Sequence, residues 1–383
     1  MNKQTFLTLA VLAAVSVALV SCHKQHEPAE LDTPLGPANC FVITAPGSYA
    51  FRPVKGNSTE AVGPIASTEV LWESFGTSVA PSKGAIVAES AYNTVSNVIR
   101  FKTPAALKNG NAVIAAKDAS GNILWSWHVW VCEGWDPEKT AQTYYNNVGT
   151  MMDRNLGATS ATPGEVESFG LLYQWGRKDP FLGSCDVSAR VEAASTLKWP
   201  EPVYSDPETG TIAYAIAHPT TYIASVEDSY DWYYTGEYNT DNTRWQPDKK
   251  TIYDPCPEGW RLPKGATQTD GGVWGGACGK TFEIYGPDIQ YPGLNLTKFF
   301  GDSDPIWYPF AGFRSDVTGL LGGVGDNAGV WSSTADLDES DANAKVMAMG
   351  LDISYTSQGN IMVLTVMDYF RAVGHSVRCV KEN

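Results

Sequence analysis

The stretch Tyr253–Pro263, YDPCPEGWRLP, sets a single cysteine among three prolines, a glycine and a tryptophan. Pro255 and Pro257 fix the backbone on either side of Cys256, and Gly259 permits the turn that precedes Trp260. The cysteine is thus held in one place, as a chemical group or as a fastener. A nucleophilic thiol needs a base and electropositive surroundings, whereas Asp254 and Glu258 stand close in sequence and would raise its pKa. A fastener needs an oxidising compartment, so the N-terminus bears on the choice.

The chain opens MNKQTFLTLAVLAAVSVALVSC: Lys3, an apolar run from Phe6 to Val20, then small residues ending at Cys22. The run is short for a bilayer crossing, and the polar, proline-bearing HKQHEPAELDTPLGP follows it, which is the pattern of an export signal. Leu19, Val20, Ser21 and Cys22 resemble the lipobox of bacterial lipoproteins. That resemblance implies a signal peptide over 1–21, acylation of Cys22, a stem over 22–38, and contact with the membrane through the lipid anchor. The expected location is the outer membrane or cell surface.

Six cysteines follow: Cys40, Cys132, Cys185, Cys256, Cys278 and Cys379. An even number in an export compartment fits pairing, with fifteen connectivities open. No CxxC pair or Cys/His cluster has metal spacing, and two of the five histidines, His23 and His26, fall in the stem. No metal centre or other cofactor is expected.

The net charge is −15, from 27 basic and 42 acidic residues. Nucleic acid is a poor partner for such a surface, because binding phosphates takes clustered lysine and arginine. With 36 glycines, 23 prolines, 13 tryptophans and 18 tyrosines, the composition is that of a turn-rich, aromatic-rich extracellular β protein rather than a helical enzyme.

Between residues 39 and 134 short alternating runs are separated by turn residues. NAVIAAKDASGNILWSWHVWV reads as a hairpin: Asn111–Lys117, a turn over Asp118–Asn122, then Ile123–Val131. In the second arm Ile123, Trp125, Trp127, Val129 and Val131 form an apolar face. Leu124, Ser126, His128 and Trp130 form a mixed one, on which His128 reads as a surface or structural histidine rather than a ligand. About one hundred residues of this kind predict an immunoglobulin-like β-sandwich. Alternation is lost after Glu133, and residues 135–383 have long polar loops between brief apolar cores.

The second part carries MMDRNLGA (151–158), GLLYQWGRKDPF (170–181), YDPCPEGWRLP, WYPFAGFR (307–314), VWSST (330–334) and RAVGHSVRCV (371–380). Together, in this order, they resemble the Fibrobacter succinogenes major paralogous domain, a module of surface lipoproteins in Bacteroidetes and their relatives. The resemblance implies an irregular α+β domain, C-type-lectin-like and akin to the sulfatase-modifying-factor group, with its first and last strands brought together. It also implies that the late strand is tied back by a Cys256–Cys379 disulfide. Cys40 with Cys132, at the two ends of the sandwich, and Cys185 with Cys278 would complete the set. Related formylglycine-generating enzymes use a cysteine pair near the C-terminus, whereas here no cysteine closely precedes Cys379. Calcium-dependent lectins use a Trp-Asn-Asp strand; Val330–Thr334 lacks its carboxamide and carboxylate.

Two stretches could face a ligand. In Ser229–Trp245, Trp232, Tyr233, Tyr234 and Trp245 stand beside Asp241 and Asn242, the mix of rings and planar polar groups that sugars bind. The same rings would also fill the core of a loop-rich domain. In Ala335–Ala344, Asp336, Asp338 and Asp341 are weak calcium candidates, lacking the glycine and final glutamate of an EF-hand loop. Arg154, Arg177, Arg261, Arg314, Arg371 and Arg378 fall in or beside the motifs, where arginine pairs with carboxylates to pin loops.

The expected function is non-catalytic adhesion or recognition at the cell surface, of a glycan or a surface protein. One alternative is a minor or tip subunit of a fimbria-like surface fibre, docked to a fimbrial partner. That reading lacks an arginine for trypsin-like processing between His23 and Pro37. The other is an enzyme on the sulfatase-modifying-factor-like fold, which the missing cysteine pair opposes.

Overall fold

The computed structural model describes residues 32–226, 230–234, 241–279, 281–284, 292–303, 305–337, 344–356 and 358–382. The signal segment, Cys22, most of the stem, Asp338 and Asp341 lie outside the described residues. The fold is mostly β-sheet, with several sheets and few, short helices.

The first eight strands are β1 (Thr33–Leu35), β2 (Cys40–Ile43), β3 (Ser48–Phe51), β4 (Ser67–Ser74), β5 (Glu89–Asn93), β6 (Val98–Lys102), β7 (Gly110–Lys117) and β8 (Ile123–Val131). They make two four-stranded sheets, ordered β1-β3-β6-β5 and β2-β8-β7-β4. The β7–β8 hairpin forms where alternation predicts it, with Ala112 opposite Val129 and Ile114 opposite Trp127. Its turn is closed by Asp118, whose Oδ1 accepts the N–H groups of Ser120 and Asn122, both at 2.8 Å. Gly121 takes φ +86° there, a conformation open to glycine without strain. The odd-numbered face of β8, from Trp125 to Val131, packs with Phe41, Phe51, Ile99 and Phe101 into one apolar core. Both sheets contribute to that core, as the period-two pattern requires.

The even-numbered face of β8 is buried as well. Ser126, His128 and Trp130 are buried there, and the later half of the chain supplies the partners of Ser126 and Trp130. Trp130 Nε1 donates to the Ala158 carbonyl at 3.0 Å, and Asn111 Nδ2 donates to the Gly157 carbonyl at 2.8 Å. His128 is a buried structural histidine: its Nε2 pairs with Asn111 Oδ1 at 2.9 Å, and its Nδ1 has no hydrogen-bond partner among the described residues.

The later half is built on a nine-stranded sheet whose main path runs Phe181–Leu182, Leu171–Gln174, Gly374–Val377, Asn327–Ala335, Met347–Tyr355, Ile361–Phe370 and Thr281–Ile284. A smaller sheet brings the last strand, Val380–Lys381, between Thr150–Met151 and Trp260–Arg261. YDPCPEGWRLP is the corner that makes this pairing. Asp254 Oδ1 accepts the Cys256 N–H at 2.9 Å, and its Oδ2 accepts the Leu262 N–H at 3.0 Å. Gly259 turns at φ +76°, Trp260 is buried, and Cys256 is bonded to Cys379 across 123 residues. Closing a loop of that length stabilises by about 3–5 kcal/mol in the chain-entropy account.

The other two expected disulfides are absent. Strands β2 and β8 run parallel with Cys40 opposite His128, so Cys132 lies four residues farther along. Four strand residues span about 13 Å, well beyond the ~7 Å between Cα atoms that a disulfide bridges. Both thiols are free and buried. Cys185 and Cys278 pack against different apolar clusters and are free as well.

Candidate functional site

Both tryptophans of the Ser229–Trp245 stretch are interior. Trp232 and Trp245 are each 1% exposed, so neither ring offers a face to a ligand. They belong to an alternating stack of guanidinium groups and rings. Arg371 lies 4.5 Å from the Trp175 ring centre, and Arg244 lies 5.2 Å from Trp175 and 4.7 Å from Trp232. Arg177 lies 5.6 Å from Trp232 and 5.0 Å from Phe181. Arg244 also pairs with both carboxylate oxygens of Asp231, and Arg371 stands 3.8 Å from Asp231 Oδ2. Arg371 Nη2 donates to Asn242 Oδ1 at 2.6 Å. Burial pushes Arg371 down to about 9 and Arg177 down to about 10. Both remain charged at neutral pH, in a setting where stacking on aromatic faces replaces part of the lost hydration. Tyr233 and Tyr234 are half-buried and Asn242 is exposed. Asp241 is bound up in its own turn, accepting from the Thr243 N–H at 2.7 Å. Trp232 and Trp245, with the arginines stacked in the same cluster, are scaffold.

A cleft of about 470 Å³ opens on the nine-stranded sheet. Its floor is the outward face of two paired strands: Met349 from Met347–Tyr355, and Val366 and Asp368 from Ile361–Phe370, with Met349 and Asp368 in register. One wall is the loop Ala266–Thr269, which follows the Tyr253–Pro263 corner. The other is Ala335, Asp336 and Leu337, at the end of Asn327–Ala335. Gly265 seats the first wall on the sheet: a Cβ there would stand 2.2 Å from Ser332 Oγ, and the Gly265 N–H donates to Thr334 Oγ1 at 3.0 Å. The lining combines aliphatic side chains with hydroxyl, amide and carboxylate groups, and its described residues include no lysine, arginine or histidine. Such a surface can hold a ligand by apolar contact and directed hydrogen bonds.

Of the calcium candidates, Asp336 alone is described, and it reaches this cleft. Among the described residues, no three His, Cys, Asp or Glu side chains are grouped to hold a metal ion. Thr267, Gln268, Thr269, Met349, Val366 and Asp368 escaped sequence reasoning. The available signal was the alternation in IMVLTVMDYF, where Met362, Leu364, Val366 and Asp368 share the face opposite the buried Ile361, Val363 and Thr365.

Burial favours the neutral form of the free described thiols and of two imidazoles, His128 and His375. Burial pushes the Cys132 thiol up to about 12, against the pull of Arg154, and Cys278 also up to about 12. Cys40 and Cys185 are raised too, again chiefly by burial. Burial lowers His128 and His375 to about 3. A second, shallower hollow of about 680 Å³ lies between Cys132–Asp136 and Thr159–Pro163, where Arg154 stacks 4.2 Å from the Trp135 ring centre. Arg154 is already committed there to Asp153, through contacts of 2.9 and 3.0 Å. No family model, no curated protein and no solved structure matches the chain.

Proposed function

We propose that the chain is an exported, non-catalytic surface lipoprotein, anchored through Cys22, that recognises a molecule outside the cell through the 266–269/335–337 cleft. In this reading the first two sheets are an immunoglobulin-like sandwich. The later half is a C-type-lectin-like module of the Fibrobacter succinogenes major paralogous type. The carrying observation is the cleft itself: a sizeable hollow with mixed polar and aliphatic lining, walled by loops that a disulfide-tied corner and buried hydrogen bonds hold in place. Preorganised loops lower the ordering cost of binding, which favours recognition surfaces of this kind. The raised thiols and lowered imidazoles support a binding role over a proton-transfer one.

The test uses the whole mature chain on glycan and peptide arrays, beside a Val366→Arg variant that fills the cleft floor. Binding that the variant abolishes is the expected result. Binding that the variant leaves unchanged would move recognition elsewhere. Radiolabelled palmitate incorporated by the wild type and not by Cys22→Ala checks the anchor.

A further inference from the structure

Resting on that recognition reading, we infer that the cleft takes a lysine- or arginine-bearing segment of an extended peptide from a partner protein. The floor is aliphatic: Met349 and Val366, bordered by Ala266, Ala335 and Leu337. Among the described residues no aromatic ring lines it on which the C–H face of a sugar could stack, and Trp232, Trp245 and Trp331 are buried in the scaffold. Lysine and arginine join an aliphatic stem to a cationic head, and each part has a counterpart here. The stem lies along Met349 and Val366, and the head meets Asp368, directly across the strand pair from Met349.

The Asp368 carboxylate makes no hydrogen bond or ion pair with a described residue, whereas Asp352 on the neighbouring strand is taken by Asn327, Ser354 and Tyr369. Asp336 adds a second carboxylate at the wall. Thr267, Gln268 and Thr269 provide hydroxyl and amide groups for the peptide's own backbone. The net charge of −15 draws a basic segment in and repels an acidic one.

The test is methyl NMR of the whole mature chain labelled at methionine, with the Met349 resonance assigned by Met349→Leu. The probes are an acetylated, amidated Ala-Lys-Ala-Lys-Ala peptide, its Gln and Glu counterparts, and neutral oligosaccharides. The lysine peptide should shift Met349, the glutamate peptide should not, and Asp368→Asn should weaken the lysine peptide about five- to tenfold. Unchanged resonances from the other methionines would show that the variant is folded. Equal response to the lysine and glutamine peptides would overturn the basic-segment assignment. So would a Met349 shift with oligosaccharide and none with peptide, and in that case the cleft would remain a recognition site. Silence of Met349 toward every probe would overturn both readings.

Discussion

At the scale of single residues, two histidines carry a pH dependence whose sign follows from burial. His375 sits 4.2 Å from the Tyr369 ring, 5.1 Å from Trp331 and 6.2 Å from Phe313, and neither of its ring nitrogens has a partner. Its pKa falls to about 3, because charging an imidazole in that cage costs its hydration. In the unfolded chain the group titrates near 6.5. Between these values the unfolded state binds the proton and the folded state does not, so stability rises with pH through this window. The contribution is full above about 6.5 and is lost as pH falls toward 3. The slope is about 1.4 kcal/mol per pH unit for one such group. His128, also near 3, adds in the same direction, while Asp254, raised by burial, opposes it in the acid part of the window. Urea midpoints measured from pH 7 to pH 4 should fall more steeply for the wild type than for His375→Phe. The substitution removes the titration without stranding a hydrogen-bond partner. Parallel slopes for the two proteins would mean that His375 is protonated in the folded state.

At the scale of elements, β8 explains what the sequence could and could not reveal. Its alternation made the strand, the hairpin and the apolar face legible, because a period of two is a local property. The fate of the mixed face was not legible, since Ser126 and Trp130 find their partners, Asp179 and Ala158, far downstream in the chain. The same limit hid the guanidinium–ring stack, whose Trp175, Arg244 and Arg371 come from three distant segments, and the cleft, whose walls join only in the fold. The Cys256–Cys379 tie came from motif resemblance. The Cys40–Cys132 expectation failed because sequence does not state that β2 and β8 run parallel.

One cluster on that face is especially sensitive. Lys178 Nζ, buried, donates to Ser126 Oγ at 2.5 Å and to Asp179 Oδ1 at 2.6 Å, and it lies 4.6 Å from the Trp125 ring centre. Ser126 Oγ in turn donates to Asp179 Oδ1 at 2.5 Å. Removing the carboxylate strands a buried ammonium, which costs about 3–5 kcal/mol in comparable sites, whereas removing both charges is far milder. Asp179→Asn should therefore lower the denaturation midpoint sharply, and Lys178→Met/Asp179→Asn should recover most of the loss. A double variant no more stable than the single one would show that the pair is not electrostatically coupled.

At the scale of the whole molecule, these contacts decide whether the two halves behave as separate bodies. One continuous apolar cluster contains Cys40, Trp72, Val113 and Trp130 from the first sheets with Leu156, Tyr173, Trp175 and Trp260 from the later half. Polar groups cross the same boundary. Asn39 Nδ2 donates to the carbonyls of Ile252 and Asp254 at 2.7 and 2.8 Å, and Ser74 Oγ donates to that of Ala194 at 2.7 Å. A beaded pair of domains has a thin, wet boundary, whereas here tryptophans and buried hydrogen bonds span it, so opening it would expose apolar surface and orphan polar groups together. The tight corner at Tyr253–Pro263 belongs to both halves: Asp254 receives Asn39 through its carbonyl while its carboxylate holds Cys256 and Leu262. The expected behaviour of the chain is one unfolding transition, with tryptophan fluorescence and far-ultraviolet dichroism coinciding. A fragment of residues 135–383 made alone should lack that sharp transition and bind hydrophobic dye, and adding the 32–134 fragment should restore it. Two separated transitions in the intact chain, with both fragments folded by themselves, would instead make the first half an independent stalk and the shared cluster a docking contact.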